Sequence, residues 1–89
     1  MTNPDGWTES ADGVALEKRF TFANFSEAFA FLTRVAMEAE KRNHHPEFTN
    51  VWNRVDFRLT THDAGGITEQ DRELGSVIDH LSKAFAPKE

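Results

Sequence analysis

At Pro46 the apolar pattern of this chain changes period, and that change decides which folds are open to it. Upstream, from about Ser26 to Arg42, apolar residues recur at three- and four-residue steps. Phe25, Phe29, Leu32, Ala36 and Ala39 make one helical stripe. Ala28, Phe31 and Val35 widen it beyond what one sheet face needs, which hints at self-association. Downstream, Val55, Phe57 and Leu59 alternate with Arg54, Asp56, Arg58 and Thr60, the pattern of a strand with one buried face. Proline has no N–H to continue a helix, and it pushes His45 before it toward extended backbone. Asn43, just upstream, suits the left-handed conformation that ends a helix.

The remaining segments fit the same two periods. Trp7 to Glu9 opens a short strand, and Asp12-Gly13 is a hairpin-turn dipeptide. In Val14–Phe22, the residues Leu16, Lys18, Phe20 and Phe22 share one face, as in a half-buried strand. Ser26 is a candidate N-cap for the first helix, with Glu27 in its first turn. Phe48 to Trp52 reads as a short strand with a bend near Asn53, and Ala64-Gly65-Gly66 as a turn. Thr68 to Asp71 resembles a capping box. The last helix carries Leu74, Val77, Ile78, Leu81 and Phe85 on one stripe, and Pro87 follows it. The order β-β-α-β-β-α predicts an α+β fold, an antiparallel sheet with helices packed on one face. Residues 1–6 are expected to be a flexible N-terminus, 7–86 a single domain and 87–89 a C-terminal tail.

Composition narrows function. An 89-residue chain buries only roughly 60–65% of its unfolded surface, so one modest core is expected. With no cysteine, disulfides, thiolate metal sites and cysteine nucleophiles are excluded. No apolar run approaches the ~20 residues of a membrane span, and the first residues lack the basic and apolar regions of a signal peptide, so a cytoplasmic protein with no membrane partner is expected. A net charge of −5, with basic residues only in scattered pairs, argues against direct nucleic-acid binding.

Chemistry concentrates in histidine. His44 and His45 sit at a helix end and His62 at a strand end, while His80 lies on the last helix and falls outside the candidate site. Histidine alone titrates near neutrality when unperturbed, at about 6.5. Glu40 lies four residues before His44, so one more helical turn would put both on one face and favour the charged imidazole. The plain alternative is a solvated histidine at a fraying helix end. Three histidines can hold zinc, but adjacent ones diverge and no HExxH spacing occurs, so no metal is expected. Asp71 has an ordinary explanation as a cap of its own helix. Trp52 could be a ring platform, although a tryptophan in a strand is more often core. Thr60 and Thr61 offer hydroxyls and extended backbone beside His62.

Together these positions resemble the pterin-4a-carbinolamine dehydratase family. The matching string is Glu40, three residues, His44-His45-Pro46, five residues, Trp52, nine residues, His62, eight residues, Asp71. The flanks Thr49–Val55 and Thr60–Thr68 match as well, and the resemblance runs from about Trp7 to Phe85. It implies a four-stranded antiparallel sheet backed by helices, without the N-terminal helix of many relatives. It implies dehydration of 4a-hydroxytetrahydropterin to quinonoid dihydropterin, with no cofactor beyond the substrate; the broad apolar stripe of the first helix is what leads us to expect a homodimer or homotetramer. By resemblance His44 and His62 are the acid/base pair and His45 orients the substrate. Glu40 biases an imidazole, Asp71 supports the site, and Asn43, Pro46, Phe48, Thr60 and Thr61 bind substrate, the threonines through their main chain. Two departures stand out: Phe48 where relatives often carry Trp, and Asn43 where many carry Asp. Relatives in animals also act as dimerisation cofactors of a homeodomain transcription factor, which leaves as alternatives a protein-binding module or a pterin-binding protein of another pterin pathway.

Overall fold

In the computed structural model, which describes residues 2–85, four strands and two long helices alternate along the chain. They are β1 (Thr8–Glu9), β2 (Leu16–Thr21), α1 (Phe25–Arg42), β3 (Glu47–Val51), β4 (Arg54–Leu59) and α2 (Glu69–Ser82). Short 3-10 turns at His62–Ala64 and Lys83–Phe85 complete it. The strands form one antiparallel sheet in the order β1-β2-β4-β3. This is the expected α+β fold, and no helix precedes β1 among the described residues. The expected C-terminal tail, 87–89, and the last residue of the expected domain, 86, lie outside the described residues.

Register sorts the two sheet faces. Leu16 pairs with Leu59, Phe20 with Val55, and Lys18 with Phe57, so these side chains share the face under the helices. All of them are buried except Lys18. The lysine stem lies along Trp7 and Phe20, and its ammonium reaches Asp79 on α2 at 2.8 Å. The other face is wet and carries ion pairs, among them Arg19–Asp56 and Arg58–Glu17.

Aromatic rings dominate the core. Phe31 of α1 is fully buried, with ring centroids of Phe22, Phe20 and Phe57 at 4.7, 5.3 and 5.9 Å. Burying such a side chain contributes roughly 1.5–3 kcal/mol relative to exposure. Leu74 and Ile78 bring α2 onto the same cluster. Gly75 lets the N-terminal segment approach α2 closely, because a Cβ there would stand 3.3 Å from both Pro4 and the Trp7 ring. Trp7 is buried against it and donates its indole N–H to Asp79 at 3.0 Å. Residues before Trp7 also touch the fold: Asn3 accepts from Arg72 and the Asp5 carbonyl accepts from Lys18.

Four local expectations are corrected. The N-cap of α1 is Asn24, not Ser26: Asn24 has extended backbone and its Oδ1 accepts the Glu27 N–H at 2.9 Å, while Ser26 already sits in the first turn. The apolar width of α1 also divides differently. Ala28, Phe31, Leu32, Val35 and Ala39 are the core face, and it is Phe25 and Phe29 that stand half exposed. A stripe read from three- and four-residue steps has no absolute phase, and here the sheet took the neighbouring one. Third, Trp52 is not core. It turns the β3–β4 hairpin with a φ of +51° and is 65% exposed. Fourth, β4 stops at Leu59, so His62 opens a 3-10 turn rather than ending the strand.

Candidate active site

The end of α1 builds the first wall of the site. Asn43 takes φ +53° and its N–H returns to the Ala39 and Glu40 carbonyls, so the helix stops there. The next residue, His44, turns inward and is 9% exposed, while His45 points outward. Pro46 then delivers the chain to β3. The expected Glu40–His44 pair does not form. Glu40 Oε1 lies 3.0 Å from Nε2 of His45 instead, because the left-handed residue at 43 breaks the i,i+4 geometry before His44 is reached.

His44 has a different partner. Its Nε2 lies 2.6 Å from Oδ1 of Asp71, which is fully buried at the start of α2. Asp71 is at once the reciprocal cap of its own helix, its Oδ2 accepting the Thr68 N–H at 2.9 Å. The same Oδ2 accepts from the Thr61 hydroxyl at 2.8 Å, and Thr61 and Thr68 hydroxyls stand 2.7 Å apart. Asp71 therefore joins two elements: one oxygen ties its own helix, the other meets the imidazole.

A second wall is the segment after β4. Thr61 closes an isolated bridge with Gly66, its N–H donating to the Gly66 carbonyl and its carbonyl accepting from the Gly66 N–H. Its side chain and its main chain are both engaged within the fold. Thr60 donates its hydroxyl to the Val14 carbonyl at 2.7 Å. Beyond them His62 is 81% exposed at its side chain, with Glu47 of β3 at 3.8 Å.

These walls enclose one hollow of about 470 Å³, bordered by Asn43, His44, His45, Thr60, Thr61, His62, Asp63 and Gln70. All three imidazoles read from the sequence thus reach the same space. Pro46 and Phe48 do not border it. They line a neighbouring apolar hollow of about 230 Å³ with Leu32, Val35 and Glu40, and His45 borders both. Thr68, Asp63 and Gln70 were absent from the sequence-derived set. Thr68 carried a legible signal as a capping residue, but nothing in the string links it to histidine. Among the described residues no group of three His, Asp or Glu side chains is arranged to hold a metal ion.

Comparison with known proteins converges on one family. The family described as pterin 4 alpha carbinolamine dehydratase matches residues 1–81. A Burkholderia orbicola protein carrying the provisional name pterin-4-alpha-carbinolamine dehydratase is 56% identical over 81 residues, 91% of this chain and 79% of its own length. A similarly named protein of Sinorhizobium fredii is 48% identical over 83 residues, covering 93% of this chain and 79% of the relative. Among solved structures, a transcriptional coactivator/pterin dehydratase from Brucella melitensis superposes with a TM-score of 0.84 at 40% identity, covering 86% of this chain and 82% of the other. A pterin dehydratase-like protein identified as a RuBisCO assembly factor in the alpha-carboxysome gives a TM-score of 0.76 at 25% identity, covering 89% and 92%. Sequence match, overall fold and chain coverage agree, and the chain belongs to the pterin 4 alpha carbinolamine dehydratase family.

Proposed function

We propose that this protein dehydrates 4a-hydroxytetrahydropterin to quinonoid dihydropterin, and so returns a spent tetrahydropterin to use. The observation that carries the reading is the hollow bordered by three imidazoles in three different settings, within a chain of this family. In the reaction the C4a–O bond breaks and the hydroxyl leaves as water after taking a proton. N5 loses its proton, and its electron pair forms the new C=N bond. The step needs an acid at the hydroxyl and a base at N5, each worth roughly 10²–10⁴-fold. His44 and His62, which border the same hollow, are the pair we assign to these roles, with His45 orienting the ring. Asn43 and Thr60 border the same space and are assigned to the substrate edge. Phe48 and Pro46, on the adjoining apolar hollow, are assigned to the flank of the ring or its substituent. No cofactor is required, since the pterin itself is the substrate. A cytoplasmic setting belongs to the proposal, as a cysteine-free chain needs no oxidising compartment.

The test is direct. Enzymatically generated 4a-hydroxytetrahydropterin decays without catalyst, and the protein should accelerate that decay well above the background rate. His44→Ala and His62→Ala should each remove most of the acceleration. Background-level decay with the intact protein would end the assignment.

A second reading is carried by the outer side of α1, where Phe25, Phe29 and Met37 are 50%, 53% and 64% exposed. We assign this face to pairing with a second copy of the chain, as a homodimer or homotetramer, rather than to a different protein. Light scattering should give a mass above the monomer's. A strictly monomeric species at working concentration would transfer the face to another partner.

A further inference from the structure

We propose that the hydroxyls of Thr68 and Thr61 form a one-way donor chain that keeps Asp71 ionised and thereby sets the tautomer of His44, with the proton on Nε2 and Nδ1 left to exchange a proton with the substrate. Only the last clause rests on the dehydratase reading; the tautomer does not. The direction follows from counting hydrogens. Each threonine hydroxyl has one to give. The Asp71 N–H donates to the Thr68 carbonyl at 3.1 Å, which leaves Thr61 Oγ1 as the hydrogen-bond partner of Thr68 Oγ1. Thr61 Oγ1 is 2.8 Å from Asp71 Oδ2 and 2.7 Å from Thr68 Oγ1. In both protonation patterns that fit the His44 contact, Oδ2 of Asp71 carries no hydrogen and only accepts, so the Thr61 hydrogen points to Asp71, and Thr68 must donate to Thr61.

Asp71 Oδ2 thus receives two donors, the Thr61 hydroxyl and the Thr68 N–H at 2.9 Å. Its other oxygen meets His44 Nε2 at 2.6 Å. Two protonation patterns fit that short contact. In one, Asp71 is charged and Nε2 carries the hydrogen. In the other, Asp71 is a neutral acid donating to Nε2, and the imidazole hydrogen sits on Nδ1. Full burial of Asp71 favours the neutral acid. Donors on Oδ2 favour the charged form, and two of them are what the fold supplies. Among the described residues Asp71 is the one side chain that hydrogen-bonds His44. Arg42 and Glu73 border a smaller hollow beside it, and His45, His62 and Asp63 border the main one. Thr61 is therefore a positioning residue that acts through Asp71, a role that its hydroxyl performs and its main chain does not.

The experiment is nitrogen-15 NMR of the full chain with labelled histidine, at a pH where His44 is neutral. The wild type should show a protonated Nε2 and an unprotonated Nδ1. Thr61→Val, which keeps the shape and removes the donor, should mix or invert the tautomers. Its kcat for dehydration should fall roughly tenfold or more, the scale of one hydrogen bond to a charged group, with KM little changed. Thr61→Ser should restore the single tautomer. A wild-type spectrum with the proton on Nδ1 would overturn the inference, as would a Thr61→Val spectrum that keeps the wild-type tautomer. If Thr61→Val fails to fold, the wild-type spectrum still decides. A spectrum as expected in a protein without dehydratase activity would leave the hydroxyl chain standing and remove the dehydratase reading alone.

Discussion

His44 and His62 border one hollow from settings that share almost nothing. His44 is 9% exposed and locked to a buried carboxylate that is itself held by two further donors. The His62 side chain is 81% exposed, on a 3-10 turn, with a carboxylate no nearer than 3.8 Å. One imidazole is held by a short hydrogen bond within the fold, and the other stands largely in solvent. This difference in setting means that the same substitution should have different consequences for stability at the two positions. It also separates two properties that are easily confused, importance to the reaction and importance to the fold.

The sharpest way to break this contrast is to compare alanine variants at the two histidines. Steady-state dehydration should fall by roughly 10²–10⁴-fold in each, since each is assigned as one half of the proposed acid/base pair. If only one variant loses activity, the two-sided mechanism is wrong. Stability should next distinguish Asp71 from both. Asp71→Ala strands His44, Thr61 and the Thr68 N–H together, and a denaturant melt should report a loss of about 3 kcal/mol, the scale of opening a buried network. An Asp71 variant as stable as the wild type would mean that the network holds nothing. Smaller again is the stability difference between the histidines themselves. His44→Ala should cost about 1–3 kcal/mol by leaving a buried carboxylate short of a donor. His62→Ala should stay within about 0.5 kcal/mol, as surface changes do. Thermal melts of the two variants side by side give the answer. The smallest effect belongs to Glu40→Gln. The Glu40–His45 contact is solvated on both sides, with side chains 82% and 58% exposed. Such pairs contribute about 0.2–1 kcal/mol, less at high salt, and a melt in low and high salt should show only that.

The sheet face tells a similar story about what a string of residues can reveal. Alternation of Val55, Phe57 and Leu59 marked a buried face correctly, because a strand has a period of two and only two phases. The helix did not yield as easily. Phe25, Phe29 and Ala36 are as apolar as Phe31, Val35 and Ala39, and nothing local says which set meets the sheet. Asn24 and Ser26 are both good caps, and the choice between them was made by where the chain leaves β2. Trp52 was misjudged because a large apolar residue is ordinarily buried, whereas here it occupies a left-handed hairpin position.

Residue type and position picked out His44, His45 and His62 as candidates, since few side chains carry protons near neutrality and the flanking proline and glycines mark element ends, whereas Asp71 read as a helix cap and joined the candidates only through the family resemblance. Which carboxylate would meet which imidazole was decided only in three dimensions. Glu40 is four residues from His44 and Asp71 is twenty-seven, yet His44 pairs with the distant one. A left-handed residue at Asn43 swings the ring off the helix axis, and the packing of α2 against α1 brings a buried oxygen to it. Local periodicity constrains neighbours along one element, but hydrogen-bond partners across elements depend on angles and depths that no stretch of chain encodes alone.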